Sequence, residues 1–477
     1  MTPSYTPVKT SSWTDLFRNG LAIYSIIFGC SVALHALNVF VAATIMPSVV
    51  EDIGGLEVYA WSSTVFVVIS IVSAALASRL MAFGGANLAY LFASVVFLVG
   101  TLLCALAPDI WTLIAGRAVQ GFGGGLYYAL AYAVIRRVYP AGLWTVAIGL
   151  ITMMWGIATL TGPALGGIFA EIGSWRMAFW VLVPFACVIG VAGLKVMPAK
   201  SKKADPYDGV PVLQIIVLVA IVLILSVGSI DATPVKAIAS IGAAALFWVA
   251  LYRLEDKSNV RLLPVGSLTM RSALGMYYAI IALLLIGMQP EIFVPYLLQI
   301  LHQQSPLWAG YIGALMALGW TAGSMLSATW TGKRAANTIV LAPAFGLIGL
   351  LAQAWILPPM SGGTWPVLVP VCLSLISVGF GIGLTWPHIV TRVYEAASDA
   401  EKDIAAGGVT TVQLVATAIG AALGGMVVNL AGISDPGGAA GASSASRMLF
   451  LWFAIAPALG LFIAFRLARP EQTDKSS

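Results

Sequence analysis

Only a few side chains in this sequence sit where their chemistry would be felt far from water. Arg117 stands in the otherwise apolar run Leu113-Ile114-Ala115-Gly116-Arg117-Ala118-Val119-Gln120-Gly121, with Gln120 one helical turn away on the same face. Glu291 lies in Gln289-Pro290-Glu291-Ile292-Phe293-Val294-Pro295, with a proline on either side. His35 and Asn38 share a helix face in the first long apolar run, and His388 follows Trp386-Pro387 in a late one. A carboxylate or imidazole in such a place can take up and release a proton, and an arginine can hold an anion or cap the carbonyls of a neighbouring helix. For Glu291 the alternative is a carboxyl group bonded to backbone freed by Pro290. For His35 and His388 it is a hydrogen-bonded structural role. His302 falls between apolar runs and is expected to be solvated. Cys30, Cys104, Cys187 and Cys372 lie in separate apolar runs with no Cys-x-x-Cys spacing, so neither a disulfide framework nor a metal site is expected. No cofactor is expected, and no Gly-x-x-x-x-Gly-Lys-Ser/Thr segment is present to make ATP the energy source.

The elements that must position these groups are membrane spans. Of 477 residues 60% are apolar and 9% are charged, against roughly 25% charged in an average soluble protein. That excludes a soluble globular protein, a disordered chain and a nucleic-acid binder. We read fourteen apolar segments, near 21–48, 58–80, 87–107, 110–135, 143–170, 177–196, 211–230, 234–252, 272–300, 307–330, 336–357, 366–392, 404–430 and 447–466. The first is too long for a cleavable leader and reads as a span. If both termini are cytosolic, nearly all of the 24 basic residues fall on the cytosolic side. Only Arg176, Lys236 and Arg447 fall in outside loops, and only Arg117 inside a span. That asymmetry fixes the expected orientation in the cell membrane. The basic loops 197–211 (Lys200, Lys202, Lys203) and 253–271 bracket spans 7 and 8. The expected fold is all-α: a six-helix bundle over 1–200, an inserted helix pair over 201–258 joined by Asp231-Ala232-Thr233-Pro234, and a second six-helix bundle over 259–477. Glu51, Asp52, Glu57, Glu171 and Asp231 read as interfacial charges, and 433–446 as a flexible outside linker.

Span 5 carries Gly156-Ile157-Ala158-Thr159-Leu160-Thr161-Gly162-Pro163-Ala164-Leu165-Gly166-Gly167. Its glycines make a flat face and Pro163 removes a backbone donor, which suits either plain helix packing or a hinge at an interface that opens. On these residues the chain resembles the major facilitator superfamily, specifically its fourteen-span drug:proton antiporter branch. Arg117-Ala118-Val119-Gln120-Gly121 is similar to that family's span-4 motif. Gly162-Pro163 through Gly166-Gly167, followed by Ser174-Trp175-Arg176, is similar to its span-5 antiporter motif. Arg261-Leu262-Leu263-Pro264 and Val294-Pro295-Tyr296-Leu297-Leu298-Gln299 match the start of the second bundle. Two positions depart from the pattern. The loop after span 2, Ser78-Arg79-Leu80-Met81-Ala82-Phe83-Gly84-Gly85, keeps Arg79 but lacks the usual Asp, and Asn38 stands where relatives often carry an Asp.

The resemblance implies a secondary transporter, not an enzyme, that exports amphipathic or aromatic small molecules in exchange for protons by alternating access. Glu291 then leads as the proton-coupling group, with His35 and His388 behind it. Arg117, Gln120, Asn38, Tyr127, Trp155, Phe293, Trp320 and Trp386 are the candidate substrate contacts, on spans that line the cavity in that family. Met153, Met154, Tyr128, Tyr277 and Tyr278 join the same apolar wall. Gly162, Pro163, Gly166, Gly167 and Arg79 are the candidate gate. Two other functions stay open: uptake or facilitated diffusion of a small organic anion held by Arg117, and a non-transporting membrane sensor.

Overall fold

The computed structural model describes residues 13–18, 20–140, 143–200, 209–230, 232–258, 260–328, 330–398 and 401–468. Lys202, Lys203 and Asp231 lie outside the described residues. The first helices are α1 (Ala22–Ile53), α2 (Trp61–Ala105), α3 (Ile110–Val138), α4 (Trp144–Glu171), α5 (Trp175–Trp180), α6 (Leu182–Val196), α7 (Val212–Ser229) and α8 (Pro234–Lys257). They are followed by α9 (Ala273–Met288), α10 (Val294–His302), α11 (Pro306–Ser327), α12 (Gly332–Ile356), α13 (Trp365–Ala396), α14 (Lys402–Leu430) and α15 (Gly438–Ala468). Among the described residues, four helix starts are set by side chains that satisfy orphan backbone donors. Asp109 accepts from the Thr112 amide of α3 at 2.9 Å, and Ser272 accepts from the Gly275 amide of α9 at 2.9 Å. Thr233 and Ser305 cap α8 and α11, each followed by a proline that needs no partner.

Two interruptions matter for function. Inside α2, Gly85 adopts φ 84°, which turns the chain back on itself between two spans. Between α9 and α10, Pro290 and Pro295 confine the chain to a 3-10 turn over Gln289–Phe293. Thirteen helical stretches among the described residues are long and apolar enough to cross a membrane. α3, with 29 residues, has the length but dilutes its apolar character with glycines, Arg117, Arg136 and Arg137. Large side chains such as Phe83, Leu246 and Met325 face outward, as a hydrocarbon solvent permits.

α1 to α6 pack chiefly on one another, and α9 to α15 likewise. α7 and α8 pair and lie against α14 and α2. Helices approach closely where glycine removes the side chain: Gly116 of α3 meets Cys104 of α2, and Gly349 of α12 meets Val378 of α13. α1, α9 and the second half of α11 reach the end of the helical layer that also holds the two described termini, here called the termini end. The loops near 54–60, 172–174, 303–305 and 431–437 form the far end.

Two expectations are corrected here. The stretch 433–446 is not a linker, because α15 already begins at Gly438. Its small residues let it pack, so that Ala442, Ala445 and Ser446 are fully buried. His302 is not solvated either: it is 0% exposed, with Nδ1 2.7 Å from Ser361 Oγ and Nε2 2.9 Å from the Leu357 carbonyl. Its imidazole ties the end of α10 to the α12–α13 connection.

Candidate functional site

In the first helix group the chemistry gathers around His35 of α1. Its ring stacks on Phe66 of α2 (centroids 5.4 Å, planes 29° apart) and on Tyr128 of α3 (5.6 Å, 26°). Trp155 of α4 meets it edge-on at 5.9 Å, and Phe40 extends this wall. Gly124 of α3 makes the space, since a Cβ there would lie 2.7 Å from His35 Nδ1. One turn along α1, Asn38 is 0% exposed. Neither Asn38 amide atom nor His35 Nδ1 has a hydrogen-bond partner among the described residues. Unmet polar atoms in such burial are costly, so these groups favour any partner that brings a matching donor or acceptor.

Arg117 also lies on Phe66, its guanidinium carbon 4.2 Å from the ring centroid. Nε donates to the Ser62 carbonyl at 3.2 Å and Nη1 donates to Gln120 Oε1 at 2.7 Å. Gln120 Nε2 donates in turn to Thr101 Oγ1 at 3.0 Å. This charge therefore braces α3 against both arms of α2. Tyr127 points into the same packing, donating to Ser94 Oγ at 2.6 Å, whereas its neighbour Tyr128 faces His35.

In the second group Glu291 sits in the 3-10 turn, well inside the 30-residue apolar stretch Ala273–His302. It is half-buried, and its carboxyl group has no hydrogen bond or ion pair among the described residues. Gln289 beside it donates to the Leu285 carbonyl at 3.0 Å and lies on Gly420 of α14. Trp320 of α11 and Trp386 of α13 meet at 4.9 Å. His388 Nε2 is 3.0 Å from the Ser327 carbonyl. Phe293 is fully buried against Tyr59, with ring centroids 5.3 Å apart, so it joins the two helix groups at the far end.

That far-end junction includes the glycine face of α4. Gly162 lies on Phe40, and a Cβ on Gly166 would be 3.0 Å from the Val41 carbonyl of α1. A Cβ on Gly167 would be 2.5 Å from Leu307 Cα of α11. Gly310 of α11 returns the contact: a Cβ there would stand 2.6 Å from Thr44 Cγ2 and 3.2 Å from Pro163 Cβ. Glu171 Oε1 accepts from the Leu307 amide at 3.3 Å. Asn429 Nδ2 donates to the carbonyls of Glu57 (2.6 Å) and Ser229 (2.7 Å). Arg79, at the termini end, is exposed and makes no ion pair among the described residues. Its loop is fastened by backbone instead, with the Ala86 amide donating to the Pro198 carbonyl at 3.0 Å.

Apolar spans, a glycine face between two helix groups and a broken helix bearing an acid are the architecture of a secondary transporter. The sequence model of the Major Facilitator Superfamily matches residues 28–421. The chain belongs to the major facilitator superfamily. A probable multidrug-efflux transporter of Mycobacterium tuberculosis is 34% identical over 477 residues, covering 97% of each chain. Multidrug resistance protein 3 of Bacillus subtilis is 26% identical over 366 residues, or 74% of this chain and 69% of that one. Among solved structures, a peptide transporter superposes with a TM-score of 0.68 at 13% identity, covering 96% of this chain and 99% of that one. A D-xylose–proton symporter does so with a TM-score of 0.65 at 13% identity, over 96% and 100%. At such identities the likeness is one of fold. This facilitator-superfamily chain is thus a multi-pass membrane transporter of small molecules and not an enzyme.

The sequence singles out His35, Asn38, Arg117 and Glu291 as candidates but not several of their neighbours. Phe66 contacts both His35 and Arg117, and nothing in its own apolar run marks it. Gly124 carries a signal, as the last but one residue of Gly121-Phe122-Gly123-Gly124-Gly125, but such a run points to close helix packing and not to His35. Asp52 was read as an interfacial charge. It accepts from Arg176 Nη1 at 2.7 Å and from Trp175 Nε1 at 3.1 Å, which links α1 to α5.

Proposed function

We propose that this transporter exports amphipathic or aromatic small molecules in exchange for protons, by alternating access between its two helix groups. In this reading the chain crosses the cell membrane fourteen times with both termini in the cytosol, α3 being the crossing that composition alone leaves out. Residues 1–200 and 259–477 form the two bundles, and 201–258 the helix pair between them. The observation that carries the reading is Glu291: a carboxyl group well inside a span, in a turn broken by two prolines, with no partner among the described residues. A group so placed can trade its proton when access changes sides, because no fixed cation holds it ionised. The wall of Phe66, Tyr128 and Trp155 around His35, with Asn38 beside it, suits a flat apolar compound carrying a hydrogen-bonding edge. Multidrug-efflux relatives support the same substrate class. Arg117, whose Nε and Nη1 are turned to Ser62 and Gln120, reads as a brace between helices, which favours export of neutral or cationic compounds over uptake of an anion.

The far-end contacts of α4 and α1 with α11 close one side, so transport requires α11 to part from them there. The test is purified protein in liposomes with an imposed pH gradient, screened against a diverse panel of amphipathic compounds. Accumulation that follows the gradient and collapses when it is dissipated agrees with the proposal. Downhill movement that ignores the gradient contradicts it.

A further inference from the structure

Outside the transport site, a crevice of about 500 Å³ opens between α8 and the second helix group, toward the termini end. Its wall is apolar, formed by residues such as Trp248 of α8, Ile286 of α9, Val415 of α14 and Phe462 of α15. Two charged side chains break that wall, and they have opposite sign. Glu255, near the end of α8, is 7% exposed. Its Oε1 accepts from the Leu263 amide at 2.7 Å, but its Oε2 has no hydrogen-bond partner among the described residues. The nearby cation Arg261 does not bridge to it: Nε donates to the Ser258 carbonyl at 3.0 Å and Nη2 to the Asp256 carbonyl at 3.3 Å. Arg466, in the last turn of α15, lines the same crevice, is exposed, and makes no ion pair among the described residues.

We propose that this crevice binds an aminophospholipid of the leaflet at the termini end, with its primary ammonium on Glu255, its phosphate at Arg466 and an acyl chain between α8, α9, α14 and α15. Each part of the ligand answers a separate feature. A buried carboxylate oxygen without a donor is met most strongly by a cation with N–H groups, which a primary ammonium supplies and a trimethylated one does not. An exposed arginine at a membrane interface suits a phosphate. The volume and apolar wall suit hydrocarbon. A purely anionic lipid can place its phosphate at Arg466 but brings no cation to Glu255, so it is retained less well than the ethanolamine lipid. Bound in this way, the lipid holds the α7–α8 pair against the second bundle.

Delipidated protein in mild detergent is titrated with phosphatidylethanolamine, phosphatidylcholine and phosphatidylglycerol of matched acyl chains, and bound lipid is counted by native mass spectrometry. The unsubstituted protein retains the ethanolamine lipid about tenfold better than the choline lipid, the difference a charge-assisted hydrogen bond makes. Glu255→Gln keeps an oxygen for the Leu263 amide and removes that preference. Arg466→Gln weakens retention of both zwitterionic lipids together. Equal retention of the two lipids by the unsubstituted protein overturns the proposal without any variant needing to fold. So does a Glu255→Gln protein that keeps the preference. An amphipathic amine lacking phosphate that displaces the lipid, with Arg466→Gln having no effect, also overturns it and marks the crevice as a place for transported compounds.

Discussion

Replacing Gly167 with alanine tests the far-end closure most locally. The added Cβ would stand 2.5 Å from Leu307 Cα and 3.0 Å from Leu307 Cβ, both on the facing helix. Carbon atoms in contact prefer about 3.5–4.0 Å, so α4 and α11 must separate by about 1 Å where they now touch. Overpacking of this kind costs about 1–3 kcal/mol. Only the conformation with the far end closed bears that cost, since the contact parts in the opposite one. The better helix propensity of alanine acts on both conformations and cancels. The balance between them therefore shifts about 5- to 150-fold toward the far-end-open form. Spin labels at Ile172 and Met360, both exposed at the far end, read this as a growing long-distance population. Transport should fall in step, because the cycle stalls in one form. Gly156→Ala is the control: it lies in the same helix with nothing within 4 Å of its added Cβ, and should change neither readout. Unchanged distances in Gly167→Ala, or equal effects at Gly156 and Gly167, would refute the reasoning.

Gly124→Ala would put a methyl group 2.7 Å from His35 Nδ1 and 3.3 Å from Phe66 Cζ. Displacing that imidazole should weaken the apparent affinity for an aromatic substrate about tenfold, about 1.4 kcal/mol, in a binding titration. An unchanged affinity would remove His35 from the substrate site. His302→Ala leaves the Leu357 carbonyl and the Ser361 hydroxyl without their partner. It should cost about 1–3 kcal/mol of stability, seen as a lower Tm, with the pH profile of transport unmoved; a shifted profile would give His302 a role in coupling instead. Single cysteines at Ala396 and Ser434, exposed at opposite ends, should react with an impermeant reagent from opposite sides of the membrane. Reaction from one side would overturn the proposed topology.

The helices were legible in the sequence because a span must be apolar over its whole length, which no local detail can hide. α3 shows the weak point of that signal. Its glycines and Arg117 lower its apolar content while serving its packing on α2. The start of α15 was not legible: Gly438, Gly441 and Ser443 look like linker, and only burial against Gly432 and Ile433 makes that stretch a helix. For the site, the 3.6-residue period places His35 with Asn38 and Arg117 with Gln120, since those pairs share a helix. It says nothing about which helix stands opposite. Hence Phe66, which touches both His35 and Arg117, emerged only from the packing, and Tyr127 and Tyr128 could not be told apart. The same limit concealed Leu307 and Thr44, the partners of the glycine face.

Proton release driven by substrate tests the central claim most directly. Liposomes containing the purified protein and an internal pH-sensitive dye receive a transported aromatic compound with no gradient imposed, and the proton flux is recorded for the unsubstituted protein and for Glu291→Gln. The proposal predicts a substrate-dependent proton flux, opposite in direction to the substrate, that disappears in Glu291→Gln while the compound still binds. A full flux in Glu291→Gln would contradict the assignment of coupling to Glu291, and transport by the unsubstituted protein with no proton flux would contradict antiport itself.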